Sequence, residues 1–459
     1  MENKFINRKQ ELKFLNGLYK KTRKEAQFLV LYGKRRVGKT ELIKHFINKK
    51  PSIYYLATRG NAQDQLKTAS ELITSYFGDS EVIVATWRSL FDYIGKKLKT
   101  TKKRVVIIFD EFPFLVESDE AISSYFQYGW DEQLKNTNAI VVLMGSSISM
   151  MYKHALVHSA PLYGRRTAQW LLEPFTFAES KKFFASNDFE KNFSLYSITG
   201  GIPAYLKTFD ITKTLENNIK DNILTKGAFL SLEPELLVSE EFRETRNYLT
   251  ILKAIGLGGT KYSDLLNLTG LENNILPSYL STLINLRLIK KEVSVTEDSS
   301  KSKRGIYFIS DNFLRFYFTF VYPNASLIEK GATMAFFDKI KNEFATYVAK
   351  IYEETAVEFV EKKQIFPQIG RWWDNNTEID LVGLDKEKNA ILFGEVKWTN
   401  QPVGFDVLNA LIEKSKKVIW GKAGRFEQFV LVSKSGFPPK LKLFAKENDI
   451  WLFEKDTIL

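Results

Sequence analysis

The segment Gly33-Lys34-Arg35-Arg36-Val37-Gly38-Lys39-Thr40 follows an apolar run, Phe28–Tyr32, and precedes an amphipathic one, Glu41–Asn48. No other feature constrains the fold as tightly. A strand that turns through two glycines into a helix must place that turn at the end of a sheet. There Gly33 and Gly38 let the backbone curl, so that successive N–H groups aim at one phosphate at a helix N-terminus. In that setting Lys39 reaches the outer phosphates of a nucleoside triphosphate such as ATP, and the Thr40 hydroxyl holds Mg²⁺.

Further apolar runs fit the same sheet. Ser52–Ala57, Arg104–Asp110 and Ala139–Gly145 alternate with helical stretches, the pattern of parallel strands joined by crossover helices. The third run ends in Asp110-Glu111, which delivers Asp110 to the carboxyl edge of the sheet, where ligands bind in open α/β folds. Asp110 is expected in the Mg²⁺ shell and Glu111 beside the attacking water. The fourth run leads into Gly145-Ser146-Ser147, and Ser146 is placed to sense the outermost phosphate.

Composition narrows the remainder. With no cysteine, disulfide scaffolds, zinc ribbons and thiol catalysis are excluded, and three histidines leave little room for His-based metal sites. The longest apolar runs, such as Val105–Phe109, are far below the roughly 20 residues a membrane span needs. Met1–Gln10 is polar, without the apolar stretch of a secretory signal. A cytoplasmic setting without a membrane partner is expected. The charge balance, 66 − 54 = +12, permits nucleic-acid contact but does not require it.

The spacing resembles the archaeal-type ATPase family, a branch of the AAA+ and STAND P-loop NTPases. The resemblance rests on Phe5-Ile6-Asn7-Arg8 with Glu11-Leu12, the phosphate loop, Phe109-Asp110-Glu111-Phe112-Pro113 and Gly145-Ser146-Ser147. Pro161-Leu162-Tyr163-Gly164-Arg165-Arg166 and Gly200-Gly201-Ile202-Pro203-Ala204-Tyr205 complete it. It implies an α/β core over residues 1–175 and a helical lid over 176–240. It also implies a phosphate contact from Arg165 or Arg166, made in cis or from a neighbouring subunit. Relatives of this kind include rings and closed monomers, so a homo-oligomer stays open.

Two further segments follow. Over residues 241–322, Tyr262–Leu268, a turn at Gly270, Asn273–Leu286 and the strand pair Leu288–Val295 and Gly305–Ser310 read as a winged helix-turn-helix. Its second helix offers Asn274, Ser278, Ser281, Thr282 and Asn285 to a DNA groove, with Arg287 at its end. The wing tip adds Lys301, Lys303 and Arg304, offset by Glu297 and Asp298. A DNA contact and a structural or regulatory hinge both remain open for this module.

Residues 335–459 read as a mixed α/β domain: a helix over Phe337–Glu361, strands near Gln364–Ile369, Thr377–Leu384 and Ala390–Trp398, a helix over Phe405–Lys417 and a strand over Gln428–Ser433. A helix-strand end over Pro439–Phe453 follows. Alternation along a strand puts Glu395 and Lys397 on one face. Asp380 on the preceding strand can join them, and two carboxylates with a lysine suit a divalent cation, Mg²⁺ or Mn²⁺. The order Asp380, then Glu395-Val396-Lys397, resembles the PD-(D/E)XK nuclease superfamily, with Ile379 where that motif often carries proline. The resemblance implies a restriction-endonuclease-like fold and a further acid from the first helix, best matched by Glu353. The tail as a whole looks like the domain of unknown function often fused to archaeal-type ATPases. Trp372, Trp373 and Trp398 flank the cluster, as core or as stacking platforms.

The expected function is thus ATP hydrolysis controlling a metal-dependent, DNA-acting tail. The rivals are an ATP-driven regulator that binds DNA or protein without cutting, and a chaperone-like ATPase acting on proteins.

Overall fold

The computed structural model describes residues 5–22, 25–101, 103–184, 186–298, 302, 304–374 and 376–459. Two compact units emerge, one of residues 1–175, 202–207 and 236–243, the other of 176–201, 208–235 and 244–459.

In the first unit, β1 (Gln27–Tyr32), β2 (Ser52–Leu56), β3 (Val105–Asp110), β4 (Ala139–Gly145) and β5 (Ala168–Leu171) form one sheet in the order β2-β3-β4-β1-β5. Every pairing is parallel. The inner strands β1, β3 and β4 are apolar on both faces because both faces are covered. Phe28, Val30, Ile107, Phe109, Val141 and Leu143 pack with Leu90, Phe91 and Ile94 of the helix Trp87–Thr100. Their alternates, among them Leu29, Leu31, Val106, Ile108 and Val142, pack with Leu15 and Leu18 of the helix Lys9–Lys21 and Leu42, Ile43 and Phe46 of the helix Lys39–Ile47. The edge strand β5, which the run pattern missed, is only half-buried, and its Ala-Gln-Trp-Leu carries no β-branched residue.

In the second unit, the helices Arg246–Gly256, Tyr262–Thr269 and Leu276–Asn285 precede an antiparallel ribbon of β6 (Ile289–Glu292) and β7 (Ile306–Ile309). Two expectations need correction here. The second helix starts at Leu276, with Pro277 in its first turn, so Asn274 lies in the turn before it. The outgoing strand of the ribbon stops at Glu292 rather than Val295. The chain then leaves the ribbon: Val295 N donates to Arg371 O at 2.9 Å, Gln368 donates to Val295 O at 2.6 Å, and Val295 is buried in the tail's core. Lys301 and Lys303 lie outside the described residues.

The long helix Thr333–Glu361 leads into a six-stranded mixed sheet of order β13-β12-β11-β10-β9-β8. Its strands are β8 (Gln368–Trp373), β9 (Glu378–Asp385), β10 (Ala390–Lys397), β11 (Phe426–Ser433), β12 (Trp451–Glu454) and β13 (Thr457–Ile458). The pairs β8–β9 and β9–β10 are antiparallel, whereas β10–β11 and β11–β12 are parallel. β8 begins after Pro367, four residues later than the apolar pattern around Gln364 suggested, because Gly-Arg-Trp-Trp carries no clear alternation. Trp372 is buried, and half-buried Trp398 packs against Phe193 at 5.1 Å and Tyr352 at 5.0 Å between ring centres.

Among the described residues, no helix is long and apolar enough to cross a membrane.

Candidate functional site

The turn after β1 is fixed by what surrounds it. A Cβ on Gly33 would stand 2.4 Å from Leu172 O, and Gly38, capping the helix Lys39–Ile47, has φ +98°. Only glycine fits both positions without strain. Arg8, 4% exposed, pins the loop from outside. Its guanidinium donates to Val37 O at 2.9 Å, Glu173 O at 2.9 Å and Glu11 Oε1 at 3.0 Å, and stacks 3.9 Å from the Phe175 ring centre.

Lys39 is buried, and its ammonium curls back to donate to Gly33 O at 2.8 Å and Lys34 O at 3.0 Å. Burial pulls its pKa down, while Glu111, Glu240, Asp110 and Glu241 pull it up. The Thr40 hydroxyl donates to Asp110 Oδ2 at 3.0 Å, and the Tyr54 hydroxyl donates to the same oxygen. Thr40 and Asp110 thus offer two hard oxygens side by side, the donor set Mg²⁺ prefers. Burial, followed by the contact with Asp110, raises the Tyr54 pKa, so it remains a donor.

Glu111 stands at the mouth of β3 with φ +54°, ahead of the helix Phe112–Ser118. It accepts from Ser146 Oγ at 3.0 Å and Ser146 N at 3.3 Å. Burial raises its pKa, opposed by Lys39 and the Ser146 bonds. Gly33, Gly38, Lys39, Thr40, Asp110, Glu111 and Ser146 therefore converge at one sheet edge.

Arg165 and Arg166 are engaged elsewhere. Arg165 pairs with Asp131 at 3.2 Å, while Arg166 donates to Gln169 at 2.9 Å and Ala155 O at 3.2 Å. Neither has a bond to the loop among those of the described residues.

Sequence reasoning missed Tyr54, Glu240 and Glu241. The last two end the helix Glu233–Glu241 and reach the site only through tertiary structure. Nothing local in the sequence marks them.

In the tail, Asp380 accepts from Val396 N at 2.9 Å across the β9–β10 pair. Lys397 Nζ lies 2.6 Å from Glu395 Oε1 and 3.7 Å from Asp380 Oδ2. Burial and then Glu395 raise the Asp380 pKa. For Lys397, burial works downward, but Asp380 and Glu395 outweigh it and hold the ammonium above its ordinary value. Glu353 sits within electrostatic reach of Asp380, and burial followed by that neighbour pushes it up to about 7.

A further lysine completes the cluster. Lys414 donates to both Glu395 oxygens, at 3.0 and 2.9 Å. It lies three positions after buried Leu411, on the inward face of the helix Phe405–Ser415, and a lysine on a core stripe was the signal available. Among the described residues, no three acids or histidines are grouped closely enough to hold a metal ion. Glu353, Asp380 and Glu395 therefore do not make up such a group.

Residues 5–209 match a family model described as an ATPase domain predominantly from Archaea, and residues 317–416 match one described as archaeal and bacterial proteins of unknown function. An uncharacterised protein of Methanocaldococcus jannaschii is 35% identical over 401 residues, covering 86% of this chain and 87% of its own length. The chain belongs to the archaeal-type ATPase family. A second protein of that organism, described as an ATP-binding protein, is 50% identical over 46 residues, 10% of this chain and 75% of its own. The Walker-type ATPase of Pyrococcus abyssi shares the fold, with a TM-score of 0.52 at 19% identity, covering 69% of this chain and 97% of that one.

Proposed function

We propose that this archaeal-type ATPase binds and hydrolyses ATP at the loop Gly33–Thr40, and that nucleotide state controls DNA cleavage by the tail. For the ATPase half, Lys39 would exchange its two carbonyl acceptors for the outer phosphates. Ser146 would donate to the γ-phosphate, and Glu111, its pKa raised by burial, would take the proton of the attacking water. Mg²⁺ held by Thr40 and Asp110 supplies charge neutralisation on the phosphates. Arg165 or Arg166 would have to leave its present partners to contribute.

The observation that carries the tail reading is the placement of Asp380, Glu395 and Lys397 together on β9 and β10. The helix-strand-strand-strand-helix-strand order supports a restriction-endonuclease-like fold. A divalent cation between Asp380 and Glu395 would supply Lewis-acid charge at a scissile phosphate. Lys397, held as an ammonium, would orient the water and offset the charge of the phosphate, and Glu353 would join as an outer acid. The basic balance of the chain and the exposed Ser278, Ser281 and Asn285 support a DNA partner for the winged segment. The test is Mn²⁺ binding to the full chain by calorimetry in the absence of nucleotide. One site lost in Asp380→Ala supports the reading, and no difference between the proteins refutes it.

A second reading has its own observation. Lys397 and Lys414 already neutralise Glu395, and the wing leaves its ribbon to join β8. Both features fit an ATP-driven regulator whose tail holds DNA or a protein partner without cutting it.

A further inference from the structure

We propose that Glu240 is a specificity-determining residue of the nucleotide site: it occupies the γ-phosphate's polar partners in the empty and diphosphate states, and so sets the preference between ATP and ADP. The proposal rests on the reading that the loop Gly33–Thr40 holds the nucleotide.

Residues 236–243 belong to the compact unit of the ATPase sheet, although the chain on either side does not. Glu241 anchors this segment: its carboxylate accepts from Ile148 N at 2.8 Å, Ser149 N at 3.0 Å, Ser149 Oγ at 2.8 Å and Ser147 Oγ at 3.2 Å. Glu240, next in line, turns the other way. One of its oxygens accepts from Ser146 Oγ. Among the described residues the other is buried without a hydrogen bond, and Arg35 Nε lies 4.0 Å from it.

Ser146 has a single hydroxyl proton, yet Glu111 Oε2 lies 3.0 Å from the same oxygen. Two carboxylates therefore compete for one donor, close enough to Lys39 that both act on its ammonium. A half-buried acid with one unsatisfied oxygen and one contested donor is held weakly. It also carries the same sign as an arriving γ-phosphate, which would claim Lys39 and Ser146. Triphosphate binding and a seated Glu240 are thus mutually opposed, whereas a diphosphate lacks the group that collides with it. By reciprocity, whatever factor Glu240 takes from ATP affinity, ATP takes from the seating of residues 236–243. That segment runs in sequence directly into the helix Arg246–Gly256, the first of the winged segment.

Calorimetric titration of the full chain with Mg²⁺ and either ADP or the non-hydrolysable AMP-PNP tests this. Glu240→Gln keeps the size and the Ser146 bond while removing the charge. It is expected to raise the AMP-PNP to ADP affinity ratio by about tenfold, with ADP affinity changed less than about twofold. A ratio that does not move, or an equal change for both nucleotides, overturns the proposal. Lys39→Ala keeps the two claims apart: unimpaired binding of both nucleotides there refutes the site itself. Hydrogen exchange of the wild type gives a readout that depends on no variant. AMP-PNP should speed amide exchange over residues 236–243 where ADP does not, and equal exchange with both contradicts the proposal.

Discussion

Arg8→Met probes how the phosphate loop is held. Arg8 is almost fully buried, and its guanidinium ties Val37 O in the loop to Glu173 O and to Glu11. Hydrogen bonds from a charged donor contribute about 1.5–3 kcal/mol each. Removing one partner of a buried ion pair costs about 3–5 kcal/mol, because the other charge is stranded. Glu11 is 13% exposed, so it recovers part of its hydration, which places the expected loss near 3–4 kcal/mol. Methionine nearly fills the space and leaves the positive φ of residue 8 in place, so cavity and backbone terms largely cancel. Glu11→Gln keeps both carbonyl bonds and should cost only about 1 kcal/mol. Calorimetric unfolding of the full chain measures both, and ATP titration of the folded variants should show weaker binding for Arg8→Met alone. A loss below about 1 kcal/mol for Arg8→Met would refute the claim that this guanidinium holds the loop.

Gly33→Ala should abolish ATP binding in a chain that still folds its tail, since Leu172 cannot yield: its N–H donates to Tyr32 O at 2.7 Å. Normal ATP affinity in that variant would contradict the packing. Glu358 is half-buried with one buried oxygen lacking a hydrogen bond, and desolvation raises its pKa to about 7. Because the folded value exceeds the unfolded one, its favourable term is complete below about pH 4.5 and is lost as pH rises through about 7. Glu358→Gln should therefore gain about 2–3 kcal/mol on the wild type between pH 5 and pH 8 in urea unfolding, and parallel curves would disprove this. Lys414→Gln frees a Glu395 carboxylate now held by two ammonium groups. Mn²⁺ affinity at the tail should rise several-fold, and an unchanged affinity would argue against a cation at Glu395.

The ATPase sheet was legible because each of its three inner strands, β1, β3 and β4, is buried on both faces, which writes continuous apolar stretches ending in Gly33, Asp110 and Gly145. The edge strand β5 and the shift of β8 were not, since half-buried or glycine-bearing strands carry no such signature. The tail's Asp380, Glu395 and Lys397 were found because strand alternation alone puts Glu395 and Lys397 on one face. Glu240 and Glu241 were invisible for the opposite reason. Their helix brings them to the loop across more than 90 residues of chain from Ser146, by contacts that no local spacing encodes. The chain's departure from the β6–β7 ribbon into the tail belongs to the same class, as Val295 reads equally well as a ribbon residue or a core residue.

The central claim is that the ATPase site governs cutting by the tail. Cleavage of supercoiled plasmid by the full chain with Mg²⁺ or Mn²⁺, with and without ATP, tests it most directly, beside Asp380→Ala and Lys39→Ala. The account predicts cutting that vanishes in Asp380→Ala and responds to ATP in the wild type but not in Lys39→Ala. No cutting under any condition, or cutting that persists in Asp380→Ala, would contradict it.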